Sequence, residues 1–280
     1  MALSFSRFVT EVTMKSFFRS LILVLGVFLF SACASTTQSG VVGADRSQVL
    51  LVSSAAMDAQ AKSSYAEVLA DAKAKNILNT SPATTKRVQN IANRLIAKSV
   101  AFREDALSWD WQVNVITDST VNAWCMPGGK IVVYTGIIES LNLTDGELAA
   151  VMGHEISHAL REHSREQASK EALTSLGMVA VAVATGMDDT MYAVLQYGAQ
   201  LGLTLPFSRK CETEADNMGT ELMARAGYDP HEAVNVWKKM SAMSGSSVPQ
   251  ILSTHPSNET RIQNLSVISE KVYPLYQATL

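Results

Sequence analysis

Two histidines four residues apart, with a glutamate directly after the first, stand in "VMGHEISHALREH", residues 151 to 163. Residues four apart on a helix share a face, so His154 and His158 project together and can offer two imidazole nitrogens to one metal ion. Glu155 is rotated off that line, enough to miss the ion and to reach a water bound to it. Zinc accepts nitrogen and oxygen ligands and brings the pKa of such a water towards about 7, so a neighbouring carboxylate can take its proton. The pattern points to zinc-dependent hydrolysis of a peptide bond, with one zinc per chain and Glu155 as general base.

Such a site needs a third ligand. His163 lies five residues after His158, about 140° around a continuous helix from it, which makes it a surface or second-sphere residue. A metzincin would turn at a glycine and place its third histidine three residues later; here those positions hold Arg161 and Ser164. Histidine, histidine, glutamate is the other common set, and "SRKCETEADNMG" (208–219) supplies Glu212, Glu214 and Asp216. Glu212 and Asp216 share a helix face, while Glu214 points about 200° away and reads as a solvated acidic position. Of a pair on one face, one carboxylate can bind zinc while the other accepts a hydrogen bond from the far nitrogen of a ligating histidine.

These residues need elements to hold them. Residues 53–79 are Ala-rich and read as a helix. A second opens with Ser81 as N-cap and Pro82 at the first position, with Val88, Ile91, Leu95 and Ile96 on one face. From Ser108 the period changes: "WQVNVI", "VNAWCM" and "KIVVYTG", the last two joined by "PGG", predict a small sheet of three strands ending at Gly136. Thr144 and Glu147 form a T-x-x-E capping box that starts the motif helix. Residues 172–205, rich in small apolar side chains and broken by Gly186, Asp188 and Asp189, read as a buried helical pair, with a membrane-touching lid as the alternative. One more helix follows Pro206 and stops at Gly227. The next has Asp229, Pro230 and Glu232 as N-cap, N1 and N3 and runs to Met243, before a Gly/Ser-rich loop (244–247). With no internal repeat, residues 53–280 are expected to form a single domain of α+β class, mostly helical, with the small sheet edging the active-site cleft.

Composition narrows the function. The chain has 280 residues, 47% of them hydrophobic, enough for one large core, and its 23 Lys plus Arg nearly balance 26 Asp plus Glu. No basic run marks a nucleic-acid partner. Leu21 to Phe30 is an apolar stretch too short to cross a bilayer but of the length of a signal-peptide core, and its basic flank begins at Met14, which is the expected true start. The stretch ends in "FSAC" and resembles a bacterial lipobox. Residues 1–32 are then a signal peptide, Cys33 is lipidated, and 33–52 are a tether to the periplasmic face of the outer membrane, the sorting favoured by Ala34. The two remaining cysteines, Cys125 and Cys211, either pair in an oxidising compartment or sit as buried thiols.

Four segments, "NAWCMPGGKIVVYTGII" (122–138), "GHEISHALREH" (153–163), "LPFSRKCETEAD" (205–216) and "STHPSNETRIQNL" (253–265), resemble in order and spacing the gluzincin metallopeptidases of the HtpX and CAAX prenyl protease type I family, the forty-eighth metallopeptidase family. The likeness covers about residues 80–270 and is to its mitochondrial stress-activated and periplasmic lipoprotein branch. It implies a zincin-like fold, His154, His158 and Glu212 as zinc ligands, and Asp216 as the partner of a ligating histidine, His154. It further implies that the strand Ile131, Val132, Val133, Tyr134 edges the cleft and pairs with extended substrate, with Asn122 and Ala123 close to the site. His255 is either a reversible fourth ligand, an oxyanion stabiliser or a plain loop histidine, and Arg261 pairs with a carboxylate near the zinc. The expected activity is cleavage of unfolded or misassembled envelope proteins; a chaperone-like factor for outer-membrane proteins that binds through the same groove is the alternative.

Overall fold

The computed structural model describes residues 33–243, 250–255 and 259–280. The signal-peptide reading, the start at Met14 and the Gly/Ser-rich loop therefore lie outside the described residues. In chain order the elements are β1 (Cys33–Ala34), β2 (Gln48–Val49), α1 (Ser54–Ala74), α2 (Pro82–Ile96), β3 (Gln112–Ile116), β4 (Ala123–Met126), β5 (Lys130–Tyr134), α3 (Thr135–Ser140), α4 (Asp145–Leu160), α5 (His163–Thr185), α6 (Asp189–Ala199), α7 (Leu205–Arg225), α8 (Glu232–Ala242), α9 (Gln250–Thr254) and α10 (Glu259–Gln277). The result is mostly helical with a small sheet, as expected.

Helix α4 is the centre of the molecule. Both halves of its capping box form: Thr144 Oγ1 accepts from the Glu147 N–H at 3.2 Å, and Glu147 Oε2 accepts from the Thr144 N–H at 2.9 Å. Glu147 also receives Lys239 Nζ of α8 at 2.7 Å, which ties the helix start to a neighbour. Most of α4 is buried, and Leu148, Met152, Ile156 and Leu160 join Val88, Ile91 and Leu95 of α2 and Met218 and Leu222 of α7 in the main core. Each such side chain contributes roughly 1.5–3 kcal/mol by leaving water.

Two glycines set the spacing of α4 and α7. A Cβ on Gly153 would stand 2.9 Å from the Gly219 carbonyl oxygen, and one on Gly219 would stand 2.7 Å from the His154 nitrogen. Only bare backbone on both sides lets the helices touch here. The residues that follow Gly153 and precede Gly219 are thereby brought face to face.

The sheet has the order β3-β5-β4, parallel between β3 and β5 and antiparallel between β5 and β4. Gly128 and Gly129 take positive φ (71° and 80°) in the turn that joins β4 to β5. This order corrects the expectation for Ile131, Val132, Val133 and Tyr134. Their strand is the middle one, hydrogen-bonded on both sides, with Ile131, Val132 and Val133 buried, so it has no free edge to offer a substrate. The edge next to α4 is β4.

Two further expectations change. The helical pair is present as α5 and α6, but it is not buried: Leu176, Val179, Val183, Met191, Val194 and Tyr197 are exposed, and α6 contributes nothing to the core. Apolar composition identified the helices without saying what covers them. The segment expected as a tether is held along the protein from Ser35 onward. The wholly buried Arg161 guanidinium, at the end of α4, donates to Ser35 Oγ, Thr37 Oγ1, Gln48 Oε1 and the Arg46 carbonyl at 2.7–3.1 Å. Cys125 and Cys211 are separate free thiols, on β4 and α7.

Candidate metal centre and active site

Helix α4 presents His154 and His158 towards α7, which presents Glu212 one turn before Asp216. His154 Nε2 lies 3.1 Å from His158 Nε2 and 3.4 Å from Glu212 Oε2, and His158 Nε2 lies 3.4 Å from Glu212 Oε1. His255, just past α9, brings its Nδ1 to 2.9 Å from both Glu212 oxygens and 3.2 Å from His154 Nε2. One ligand atom from each of the four lies within 4.8 Å of all the others.

The chemistry of this donor set fits a cation. Three imidazole nitrogens and a carboxylate gathered at 2.9–3.4 Å form a nitrogen and oxygen donor set, and neighbouring ligands of a tetrahedral zinc stand roughly 3.3 Å apart at bond lengths of about 2.0–2.2 Å. A second observation agrees: Glu155 Oε1 is buried and has no hydrogen-bond partner among the described residues, with His255 Nε2 at 3.5 Å. A buried acceptor left open in this way suits a carboxylate that takes a proton from a water. Burial raises the Glu155 carboxyl above its ordinary value, against the pull of His255 and His154. The Glu212 carboxyl moves far the other way, because hydrogen bonds from His154, His158 and His255 outweigh its burial.

Behind His154 stands Asp216, whose Oδ1 lies 2.9 Å from His154 Nδ1. Arg261 of α10 grips the same carboxylate through Nε to Oδ2 at 2.6 Å and Nη2 to Oδ1 at 2.8 Å, and its Nη1 reaches Glu212 Oε2 at 3.1 Å. The guanidinium lies over the Trp237 ring, 3.4 Å from its centroid, in a cation–π contact. Nothing in the sequence singled out Trp237, which reads there as one apolar position of an amphipathic helix.

His163 is buried against His158. Glu162 takes a left-handed conformation (φ 50°) that ends α4 and starts α5 afresh, so the rotation expected of one continuous helix does not apply. His163 Nδ1 comes to 2.9 Å from His158 Nδ1, and its Nε2 to 3.1 Å from Glu214 Oε2. Glu214 is consequently not a solvated acidic position: it pairs with His163 and with Arg46 from the segment between β1 and β2.

Ala123 starts β4 beside α4, and Asn122 directly precedes it. Asn122 Oδ1 accepts the Ala123 N–H at 3.0 Å, and the Asn122 carbonyl accepts the Tyr134 N–H at 3.2 Å. The antiparallel alternation then turns the Cys125 N–H and the carbonyls of Ala123 and Cys125 away from β5. Burial, and after it the charge of Glu155, push the Cys125 thiol up.

A helix-borne H-E-x-x-H, a carboxylate from a later helix and a buried glutamate beside them define a metallopeptidase of the zincin type. The chain belongs to peptidase family M48, whose model matches residues 82–269 and whose members use zinc. It is 37% identical over 207 residues to the mitochondrial metalloendopeptidase OMA1 of Schizosaccharomyces pombe, covering 73% of this chain and 58% of that protein. It is 27% identical over 198 residues to the beta-barrel assembly-enhancing protease of Yersinia pestis (65% and 38%), and 25% identical over 211 residues to the metalloprotease YcaL of Escherichia coli K12 (71% and 81%). The chain thus spans 58% or less of the OMA1 proteins of Schizosaccharomyces pombe, Arabidopsis thaliana and Saccharomyces cerevisiae.

Proposed function

We propose that this protein is a zinc-dependent endopeptidase acting on unfolded or misassembled polypeptides of a bacterial envelope, held at the outer membrane by a lipid on Cys33. The observation that carries the reading is the convergence of His154 Nε2, His158 Nε2 and Glu212 on one point, with the open oxygen of Glu155 beside it. In this reading the first three would hold zinc, which would supply Lewis acidity to a water and to the scissile carbonyl. Glu155 Oε1 takes the proton of the attacking water and delivers it to the leaving amine. Asp216 holds the Nδ1–H of His154, and so keeps the Nε2 lone pair facing the ligand cluster. His255 Nδ1, within reach of Glu212 and His154 Nε2, would be a fourth ligand to the zinc, and a reversible one.

Free backbone groups on β4 support an extended polypeptide as substrate. A segment adding to this edge gains main-chain hydrogen bonds with little demand on its sequence, which suits unfolded chains. The compartment rests on "FSAC", which ends at Cys33. Mitochondrial relatives argue for another setting, and the bacterial ones for this one. No helix among the described residues is long and apolar enough to cross a membrane. Because one relative's name joins a protease to assembly, holding envelope proteins without cutting them is the second reading.

Metal analysis of the purified chain tests the ligand set: one zinc per chain is expected in the wild type and none in Glu212→Ala. Full occupancy in that variant contradicts it. Labelling with a fatty acid tests the anchor, which requires incorporation that Cys33→Ser abolishes.

A further inference from the structure

The two helix-borne histidines are backed unequally. His154 Nδ1 meets a carboxylate directly, Asp216 Oδ1 at 2.9 Å. His158 Nδ1 meets another imidazole, His163 Nδ1, at 2.9 Å, and only through it a carboxylate, Glu214 Oε2, at 3.1 Å from His163 Nε2. We propose that His163 and Glu214, fixed by Arg46, form a positioning chain behind His158 that sets its tautomer and ring orientation for zinc. The inference rests on the reading of His158 as a ligand through Nε2.

The hydrogen bonds admit one consistent pattern. A neutral His158 that keeps its Nε2 lone pair for a metal must carry its proton on Nδ1, and that N–H donates to His163 Nδ1. His163 then carries its proton on Nε2 and donates to Glu214. Reversing either tautomer leaves two lone pairs facing each other, or a lone pair facing a carboxylate, inside a buried site. Glu214 is held in turn: Arg46 Nε donates to Glu214 Oε1, while its Nη1 and Nη2 donate to the two oxygens of Glu166 at 2.7 Å each. One guanidinium thus fills the space between two carboxylates, and Arg161 Nε stands 3.5 Å from Glu214 Oε2 on the far side. Arg46 itself is fixed where its carbonyl receives Arg161 Nη2 at 2.7 Å. The segment between β1 and β2 is therefore joined to the metal centre through four side chains, Arg46, Glu214, His163 and His158.

Hydrogen-bonded backing of a metal-bound imidazole is worth about 10- to 100-fold in metal affinity. His163→Leu fills similar space without either bond, and His163→Asn places an acceptor oxygen near the lost Nδ1. Zinc affinity of the full chain is measured by chelator competition, together with kcat and KM on casein and the absorption bands of the cobalt(II)-substituted protein. His163→Leu is expected to weaken zinc binding about 10- to 100-fold, to shift the cobalt bands, and to lower kcat with KM within about twofold. His163→Asn recovers most of the affinity. Zinc affinity of His163→Leu within twofold of wild type, or equal losses in the Leu and Asn variants, overturns the inference. Should the Leu variant not fold, Glu214→Gln, which keeps the shape and removes the charge, must still weaken zinc binding, and unchanged affinity there overturns it as well. A wild-type chain that holds no zinc defeats the ligand reading itself, whereas one that holds zinc beside an unaffected His163→Leu defeats only the positioning chain.

Discussion

Oδ1 of Asp216 stands 2.9 Å from Nδ1 of His154, while the other carboxylate oxygen takes Arg261 Nε at 2.6 Å. One buried carboxylate thus orients an imidazole and neutralises a guanidinium at once. Asp216→Ala breaks both. Removing one partner of a buried ion pair costs about 3–5 kcal/mol, and the unbacked His154 loses about 10- to 100-fold in zinc affinity. Urea unfolding of the metal-free variant reads the first effect and chelator competition the second; wild-type values in both contradict the assignment.

The contact between Gly153 and Gly219 makes a prediction of unusual sign. Glycine to alanine inside a helix ordinarily stabilises by about 0.5–1 kcal/mol. At Gly219 the new Cβ would lie 2.7 Å from the His154 backbone nitrogen, so α4 and α7 must part. Gly219→Ala is expected to destabilise by about 1–3 kcal/mol and to weaken zinc binding, because Glu212 moves away from the histidines. Thermal unfolding with and without zinc checks both.

His255 separates two roles. As a withdrawing fourth ligand, its truncation in His255→Ala leaves casein cleavage at or above the wild-type rate, with zinc retained by the other three ligands. An oxyanion donor would instead cost about 10²–10³-fold in kcat. Steady-state kinetics with zinc in excess distinguishes them, and a fall of that size rejects the fourth-ligand account.

Stability in acid depends on Glu214. Its carboxyl is lowered from 4.5 to about 2, burial opposing and the hydrogen bonds of His163 and Arg46 prevailing. A depressed carboxyl binds fewer protons in the folded than in the unfolded chain, so its contribution is complete above about 4.5 and is lost as pH falls towards 2. At about 1.4 kcal/mol per unit, the contribution amounts to about 3.5 kcal/mol at most. Urea unfolding between pH 5 and 2 should show a shallower pH dependence for Glu214→Gln than for the wild type. Parallel curves contradict the depressed value.

Local signals were legible in the sequence and long-range ones were not. Ser81 with Pro82, Thr144 with Glu147, and the spacing of His154 and His158 each act within one helical turn, where residue type nearly determines geometry. Glu212 and Asp216 could be recognised as a pair on one face, and the family resemblance gave them their order. The place of β5 between β3 and β4 depends on tertiary pairing, which a run of β-branched residues does not encode. For His163, given as a surface or second-sphere residue, the contact with His158 was hidden because a single left-handed residue, Glu162, resets the helix phase, and Glu214 escaped because its partner Arg46 lies 168 positions away. The exposure of α5 and α6 was hidden for a related reason, since apolar composition alone does not reveal a missing neighbour.

The central claim is that Glu155 moves the proton of an attacking water while His154, His158 and Glu212 hold zinc without it. Casein cleavage by Glu155→Gln, with its zinc content measured on the same sample, tests this most directly. The account predicts one zinc per chain and a loss of cleavage of at least about 10²-fold. Cleavage at the wild-type rate by the zinc-loaded variant would contradict it.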